Sequence, residues 1–158
     1  TGLVAALKSG RVPGAAATMA ELVAAALPLP LPPETLLAPV GAAPWRRLRR
    51  GLDPAAEIAI ALGTLVGLQA APSLLIRRRS PPQRGRGREE RLASPPTFTA
   101  RPSPAHAARP VLLIDDVLTT GGTLIACADA LEAAGLTVAG SACFAWTPPP
   151  SASVDRSP

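Results

Sequence analysis

The chain has 158 residues, of which 47% are hydrophobic and only 3% aromatic, so it is long enough for one domain, and the core of that domain must be aliphatic. The formal net charge is +5, but Lys8 is the only lysine among 16 basic residues, so part of the charge reflects a GC-rich genome and does not by itself imply nucleic-acid binding. Two isolated cysteines and one histidine exclude a zinc site at any usual spacing.

The predicted elements alternate between helix and strand, a pattern typical of a parallel sheet in an α/β fold. The helix in the first half has the clearest start, because Asp53 is a favoured N-cap residue and Pro54 suits the first helical position. In chain order we predict a helix-prone segment over 1–27 with a break at 10–14, a strand over 36–40, a basic loop over 46–53, a helix over 54–68, and strands over 73–77, 111–115 and 137–145, with a helix over 124–134 between the last two.

Residues 58–76 carry no charge and are long enough to cross a membrane. Gln69, Pro72 and two glycines argue against a membrane span, and a buried helix followed by a buried strand explains the segment better. No signal peptide or stop-transfer pattern is found, so no membrane association is expected.

The segment 78–110 is rich in proline and arginine and is much longer than an ordinary connection. It is either a functional lid or disordered, and the two interpretations remain open. His106 lies in this segment and is expected to be exposed to solvent, and residues 147–158 are expected to form a disordered tail.

Both cysteines lie in apolar surroundings. Cys127 falls in a predicted helix and Cys143 in a predicted strand, so buried free thiols are expected. Free thiols agree with a reducing compartment.

The most informative stretch is 111–123, with the sequence VLLIDDVLTTGGT. Four branched apolar residues predict a strand buried on both faces, which places Asp115 and Asp116 at its carboxyl end, where ligands bind in open α/β sheets. The two acids are spaced to hydrogen-bond the vicinal hydroxyls of a ribose or to hold a hydrated Mg²⁺.

The residues after the acids suit a phosphate group. Two glycines permit positive φ and let backbone N–H groups approach an anion, and the helix that follows contributes its partial positive charge. Threonine hydroxyls add further donors. The residues concerned are Thr119, Thr120, Gly121, Gly122 and Thr123. An ordinary strand-turn-helix connection with an acidic cap is the alternative, while the mononucleotide P-loop and dinucleotide-binding patterns are both missing. This stretch therefore predicts an enzyme that handles a phosphorylated sugar.

The same stretch closely resembles the 5-phosphoribosyl-1-pyrophosphate (PRPP) signature of type I phosphoribosyltransferases. The resemblance implies an α/β fold with a parallel sheet, helices on both faces and a long mobile loop. It also implies that Asp115 and Asp116 are catalytic and contact the ribose, and that Thr119 to Thr123 bind the 5-phosphate. Mg²⁺ would accompany PRPP near the two acids, with no residue that ligates the metal directly.

Further landmarks resemble the ComF-like family, the competence-associated homologues of these enzymes. They are Ala6-Leu7-Lys8-Ser9-Gly10-Arg11, Ala38-Pro39-Val40, Arg46, Arg47, Arg50, Gly51, Arg77-Arg78-Arg79-Ser80-Pro81-Pro82-Gln83, Arg91 and Phe98. The family often has Arg-Gly-Phe-Asn-Gln where this chain has residues 50–54, and an asparagine where Ser94 stands. Many members also carry a four-cysteine zinc module that is missing from this sequence. The resemblance implies a cytoplasmic bacterial protein, and members of the superfamily commonly form dimers.

Pyrophosphate release needs positive charge and exclusion of water. The turn at 40–43 is expected to offer backbone N–H groups at Val40 and Gly41, with Arg46 or Arg50 as charge partners. The segment from 78 to 98 resembles the mobile lid of these enzymes in position. Its candidate residues are Arg79, Gln83 and Arg91. A solvated surface and a nucleic-acid patch remain alternatives for these basic clusters.

Two functions follow from the sequence, both placed in a domain over 1–146. The first is Mg²⁺-dependent transfer of ribose 5-phosphate from PRPP to an unknown acceptor with release of pyrophosphate, a pentosyl transfer of the glycosyltransferase type. The second is a non-catalytic accessory protein of competence that binds PRPP or single-stranded DNA. The shortage of aromatic residues counts against the DNA interpretation, because such binding usually stacks bases on aromatic rings.

Overall fold

The structure is a computed structural model that describes residues 14–28, 30–41, 53–78 and 97–147. In these residues three α-helices and six strands follow one another in the order α1 β1 α2 β2 β3 β4 β5 α3 β6. The helices are α1 (Ala15–Ala26), α2 (Pro54–Val66) and α3 (Gly122–Glu132). The strands are β1 (Leu36–Pro39), β2 (Gln69–Ala70), β3 (Leu75–Arg77), β4 (Phe98–Ala100), β5 (Val111–Leu118) and β6 (Val138–Trp146).

The centre of the fold is a four-stranded sheet in the order β2-β1-β5-β6, and every neighbouring pair is parallel. All four residues of β1 are buried, as are the first four of β5. These strands are apolar without alternation because the sheet is covered on both faces.

Two clusters of buried side chains cover the two faces of the sheet. On one face, α1 and α2 pack against Leu37, Leu112 and Ile114. On the other, α3 contributes Cys127 and Leu131 against the side chains of β1 and β5 that point the opposite way. Helices therefore lie on both faces, as expected of this α/β class.

The helices predicted over 54–68 and 124–134 are present with small changes of boundary, and the described part of the helix-prone segment 1–27 forms α1, while residues 1–13 lie outside the described residues. Helix α1 starts directly after Gly14, whose φ of 81° is left-handed, and α2 starts at Pro54 with Asp53 in the N-cap position. Gly63 allows α2 to pack closely against the chain that follows it, because a Cβ at this position would lie 2.5 Å from the carbonyl oxygen of Leu68.

The predicted second core strand was placed wrongly. The strand that joins the parallel sheet next to β1 is Gln69–Ala70, whereas Leu75–Arg77 pairs antiparallel with Phe98–Ala100 in a separate two-stranded ribbon. Leu74, Leu75 and Phe98 attach this ribbon to the core on the α3 side. Residues 79–96, which hold most of the predicted lid, and residues 148–158 of the predicted tail lie outside the described residues.

No helix in the described part of the chain is long and apolar enough to cross a membrane. The charge-free segment 58–76 contains most of α2, then β2, a turn and the start of β3. His106 lies in a short 3₁₀ turn (Pro104–His106), is half-buried and accepts a hydrogen bond at Nδ1 from the backbone N–H of Ser103 at 3.1 Å. His106 is therefore partly accessible to solvent.

Candidate functional site

Strand β5 is longer than its neighbour β1, and this difference exposes the two acids at an edge of the sheet. Pairing between the strands ends at Pro39 and Ile114, after which the N–H of Val40 donates to the carbonyl oxygen of Ile114 at 2.8 Å. Beyond this point β5 continues through Asp115 and Asp116 to Leu118, paired only with β6. The sequence predicted an end at Asp115, but pairing with β6 extends the strand by three residues.

Asp115 lies on the face of the sheet that α3 covers. Its backbone pairs with Cys143 in β6, and its Oδ1 accepts a hydrogen bond from the N–H of Asp116 at 2.8 Å. Both carboxylates are half-buried, so they remain accessible to a ligand.

The two cysteines report on the electrostatics around Asp115. Burial, and then the negative charge of Asp115, raise the pKa of the Cys127 thiol to about 12, while the positive charge of Arg77 lowers this pKa. Burial and Asp115 also raise the pKa of Cys143, which is only half-buried rather than fully buried as predicted. Both thiols are free and uncharged, and the charged groups that act on the Cys127 thiol are the carboxylate of Asp115 and the guanidinium of Arg77.

The residues after β5 form a tight turn into α3. Thr119 and Thr120 are exposed, and Gly121 takes the left-handed conformation (φ 80°) at the N-cap of the helix. The N–H of Ile125 donates to the carbonyl oxygen of Gly121 at 3.0 Å, which begins the helical hydrogen bonding. The N–H groups of Gly122, Thr123 and Leu124 precede it and have no partner within the helix, as at every helix start.

The first turn of α3 suits an anion for two reasons. It contains no acidic residue, so nothing opposes a negative charge at the positive end of the helix. A Cβ placed on Gly122 would come no closer than 3.8 Å to the Thr120 hydroxyl, so the fold itself does not need a glycine at this position. The missing side chain leaves open space above the free N–H groups.

The turn after β1 lies beside the acids, because the pairing of β1 with β5 ends at Ile114, the residue before Asp115. The N–H of Val40 is already used within the sheet, so Gly41 is the described residue left to present an N–H in this turn. Ala42 and Ala43 lie outside the described residues.

Sequence analysis did not single out Arg77 for the site, because Arg77 begins a run of arginines that is also typical of a solvated loop. The structure separates it from that run. Its guanidinium carbon lies 5.8 Å from the centroid of the buried Phe98 ring, and its charge reaches Cys127 on α3. Arg78 donates from Nε to the Thr99 hydroxyl at 2.8 Å, which fixes the same end of the ribbon.

The other predicted pyrophosphate and lid residues cannot be placed, because all of them lie outside the described residues: Arg46, Arg50, Arg79, Gln83 and Arg91. Their roles stay predictions. The same holds for the single-stranded DNA interpretation, which depends on these basic clusters.

Within the described residues no three His, Cys, Asp or Glu side chains come together as a metal site. Asp115 and Asp116 are two adjacent hard oxygen donors. Such a pair fits a Mg²⁺ ion that retains water and takes further oxygen ligands from a phosphorylated substrate.

A family model described as the phosphoribosyl transferase domain matches residues 48–157. A comparison with curated proteins found no match. The fold is similar to adenine phosphoribosyltransferase from Leishmania tarentolae, with 20% identity and a TM-score of 0.48 over 84% of this chain and 58% of that one. It is also similar to adenine phosphoribosyltransferase from Leishmania donovani, with 19% identity and a TM-score of 0.47 over 84% and 53%. The chain thus spans little more than half the length of these structures.

Proposed function

The chain belongs to the phosphoribosyl transferase family, and from this premise we propose that it binds PRPP and transfers the ribose 5-phosphate to an acceptor with release of pyrophosphate. Its parallel α/β sheet with helices on both faces is the fold of that family. The family does not define the acceptor, so the reaction of this chain is a proposal that needs its own support.

One observation carries the proposal: the two acids and the start of α3 both lie at the carboxyl end of β5. Leu118 lies three strand positions after Asp115, a distance of about 10 Å, and the turn into α3 follows directly. A ribose 5-phosphate can place its vicinal hydroxyls at the carboxylates and its phosphate at the first turn of α3. The hydroxyls donate to Asp115 and Asp116, and the N–H groups of Gly122 and Thr123 donate to the phosphate.

In the proposed reaction the bond between C1′ of the ribose and the pyrophosphate oxygen breaks, and pyrophosphate leaves with the electron pair. A lone pair of the acceptor forms the new bond to C1′. The ring carries positive charge between the two events, so the carboxylates stabilise it while the departing pyrophosphate needs cations and N–H donors. Gly41 is the described residue placed to donate an N–H, and Arg77 is the described cation on this face.

Mg²⁺ is part of the proposal as the ion that accompanies PRPP, and when bound it neutralises charge on the pyrophosphate. Asp115 and Asp116 are the residues that would lie near it, with no direct bond to the metal, and would hold it through its water. The residues of the chain orient the sugar and its phosphate, and these roles do not depend on how the metal is bound.

The finer assignments are proposed from the sequence landmarks. We assign the chain to the ComF-like branch of the family and to a role in competence inside the cytoplasm. The domain over 1–146 and a homodimeric assembly belong to the same proposal. Neither the acceptor nor a DNA partner is defined by the described residues.

The test is calorimetric titration of PRPP into the purified chain with and without Mg²⁺, repeated on a variant with both Asp115→Asn and Asp116→Asn. We expect Mg²⁺-dependent binding that the double variant loses by at least tenfold, because each amide removes a charge-assisted hydrogen bond to the ribose. Thermal unfolding of the variant serves as a control for folding. Equal binding by a folded double variant would show that the acids do not hold the ribose.

A further inference from the structure

Asp53 is the only charged side chain in the described part of the chain that is buried, with 7% of its surface exposed. A buried carboxylate is costly unless N–H groups or cations compensate its charge, so the surroundings of Asp53 indicate what this residue does. In the chain it stands directly before α2, at the N-cap position.

The simplest role for Asp53 is to cap α2, but its side chain does not make the hydrogen bond that capping requires. A capping side chain accepts a hydrogen bond from the N–H of the second or third helical residue. Asp53 makes no such bond to Ala55 or Ala56, both of which are among the described residues. Pro54, the first helical residue, has no N–H to donate. The carboxylate therefore does not act as a hydrogen-bonding cap of α2.

The carboxylate of Asp53 faces the turn that follows β1. A Cβ placed on Gly41 would lie 3.8 Å from Oδ2 of Asp53 and 3.9 Å from the carbonyl oxygen of Leu75. Gly41 thus lies between the start of α2 and the first residue of β3. The residue before it, Val40, is fixed by its hydrogen bond to the carbonyl oxygen of Ile114. Asp53 and Leu75 therefore flank the first residue of the turn beyond that bond.

We propose that Asp53 is a positioning residue that fixes the turn after β1, so that Gly41 presents its N–H to the pyrophosphate. The inference rests on the proposed function, which assigns this N–H to the departing pyrophosphate. Hydrogen bonds to a carboxylate are charge-assisted and stronger than neutral ones, and a buried polar group that is satisfied makes its surroundings rigid. Asp53 acts through the backbone of the turn and does not itself touch the substrate.

The direction of the charge effect separates positioning from simple electrostatics. Asp53 is negative, so through space alone it repels pyrophosphate, and its removal would tighten pyrophosphate binding. If Asp53 holds the turn, its neutralisation weakens pyrophosphate binding although a negative charge has been lost. Asparagine is as good an N-cap residue as aspartate, so Asp53→Asn leaves any contribution to the start of α2 intact.

The test compares three ligands by calorimetry in the presence of Mg²⁺: PRPP, ribose 5-phosphate and pyrophosphate alone. They are titrated into the wild-type chain, Asp53→Asn, Asp53→Ser and Glu57→Gln. Asp53→Ser is a second neutral variant that keeps a favoured N-cap residue. Glu57→Gln is the matched control, because it removes a carboxylate from the first turn of the same helix. Thermal unfolding shows whether each variant is folded.

We expect both Asp53 variants to bind PRPP and pyrophosphate about tenfold more weakly than the wild type, the size of the loss when one charge-assisted hydrogen bond is removed. Their affinity for ribose 5-phosphate should stay unchanged, because this ligand lacks the pyrophosphate. Glu57→Gln should bind all three ligands like the wild type.

The inference is overturned if Asp53→Asn binds pyrophosphate as tightly as the wild type or more tightly, or if its affinities for PRPP and ribose 5-phosphate fall together. It is equally overturned if neither Asp53 variant folds, since Asp53 would then serve stability. Failure of the proposed function gives a different result, because the wild-type chain itself would then bind neither PRPP nor ribose 5-phosphate, and the inference would fail with it.

Discussion

Gly121 and Gly122 are adjacent but serve different purposes, and this difference can be measured. Gly121 has a φ of 80°, so an alanine there costs about 1 kcal/mol of backbone strain. Gly122 is helical with open space at its Cβ position, so Gly122→Ala should keep or raise the free energy of unfolding by up to about 1 kcal/mol. The methyl group would nevertheless project into the space that we assign to the phosphate.

We therefore expect Gly122→Ala to fold at least as well as the wild type in urea denaturation and to bind ribose 5-phosphate at least tenfold more weakly in calorimetry. Gly121→Ala should lose stability as well. Wild-type affinity in Gly122→Ala would mean that the N–H groups at the start of α3 do not receive the phosphate.

The buried thiol of Cys127 predicts a loss of stability in alkali. The pKa of this thiol is about 12 in the folded chain, against an ordinary value of 9.0, so between pH 9 and 12 the folded state retains a proton that the unfolded state has lost. The free energy of unfolding should fall with a slope of about 1.4 kcal/mol per pH unit in this window, and no such loss is expected below pH 9. The chain has no tyrosine, and Lys8 is its only lysine, so few other groups titrate here.

Urea denaturation between pH 8 and 11.5 gives the measurement. Cys127→Ala should flatten the slope, whereas Cys143→Ala should change it less, because Cys143 is only half-buried. An unchanged slope in Cys127→Ala would assign the alkaline loss of stability to other groups.

Gly63 shows how one residue sets the packing of α2 against the sheet. Replacing a helical glycine with alanine normally stabilises a helix, but here the new Cβ would lie 2.5 Å from the backbone oxygen of Leu68. We expect Gly63→Ala to lower the free energy of unfolding by about 1–3 kcal/mol through overpacking. Gly122→Ala is the matched control, since it adds the same methyl group to a helical glycine with open space. Equal stability of the two variants would contradict the close contact.

The elements that the sequence predicted well have strong local signals. Four consecutive branched residues identify the start of β5, and Gly14 and the pair Asp53-Pro54 mark the starts of helices. The pairing of β2 had no such signal, because a strand of two residues, Gln69–Ala70, is too short to show a period. The apolar run at 74–76 resembled a core strand and was assigned to the sheet instead.

The sequence identified candidate residues for the site but only part of the shape of the site. The types of residue in 115–123 indicated the sugar and phosphate chemistry, which depends on composition and local spacing. The length of β5 depends on its pairing with β6, and the neighbourhood of Arg77 depends on the ribbon, so neither could be derived from nearby sequence.

The residues matched by the family model do not include all strands of the sheet, and this limits how far the chain can be shortened from its N-terminal side. The match begins at residue 48, whereas β1 lies before it and occupies the place between β2 and β5. A chain that starts at residue 48 would expose Leu112 and Ile114 and lose the hydrogen bonds of a central strand. We expect it to fail to fold, as judged by circular dichroism and size-exclusion chromatography, whereas a chain that starts at Gly14 should melt cooperatively. A cooperative melt of the shorter chain would contradict the central role of β1.

The position of β1 also has a consequence for synthesis on the ribosome. Leu36 pairs with Val111, so β1 leaves the exit tunnel long before its partner on that side has been translated. Until β5 has been translated, the four apolar residues of β1 lack a partner strand on that side. Nascent chains with an unpaired apolar strand are prone to aggregate. Slower translation of residues 41–110 lengthens this exposure and should therefore lower the soluble yield of the chain.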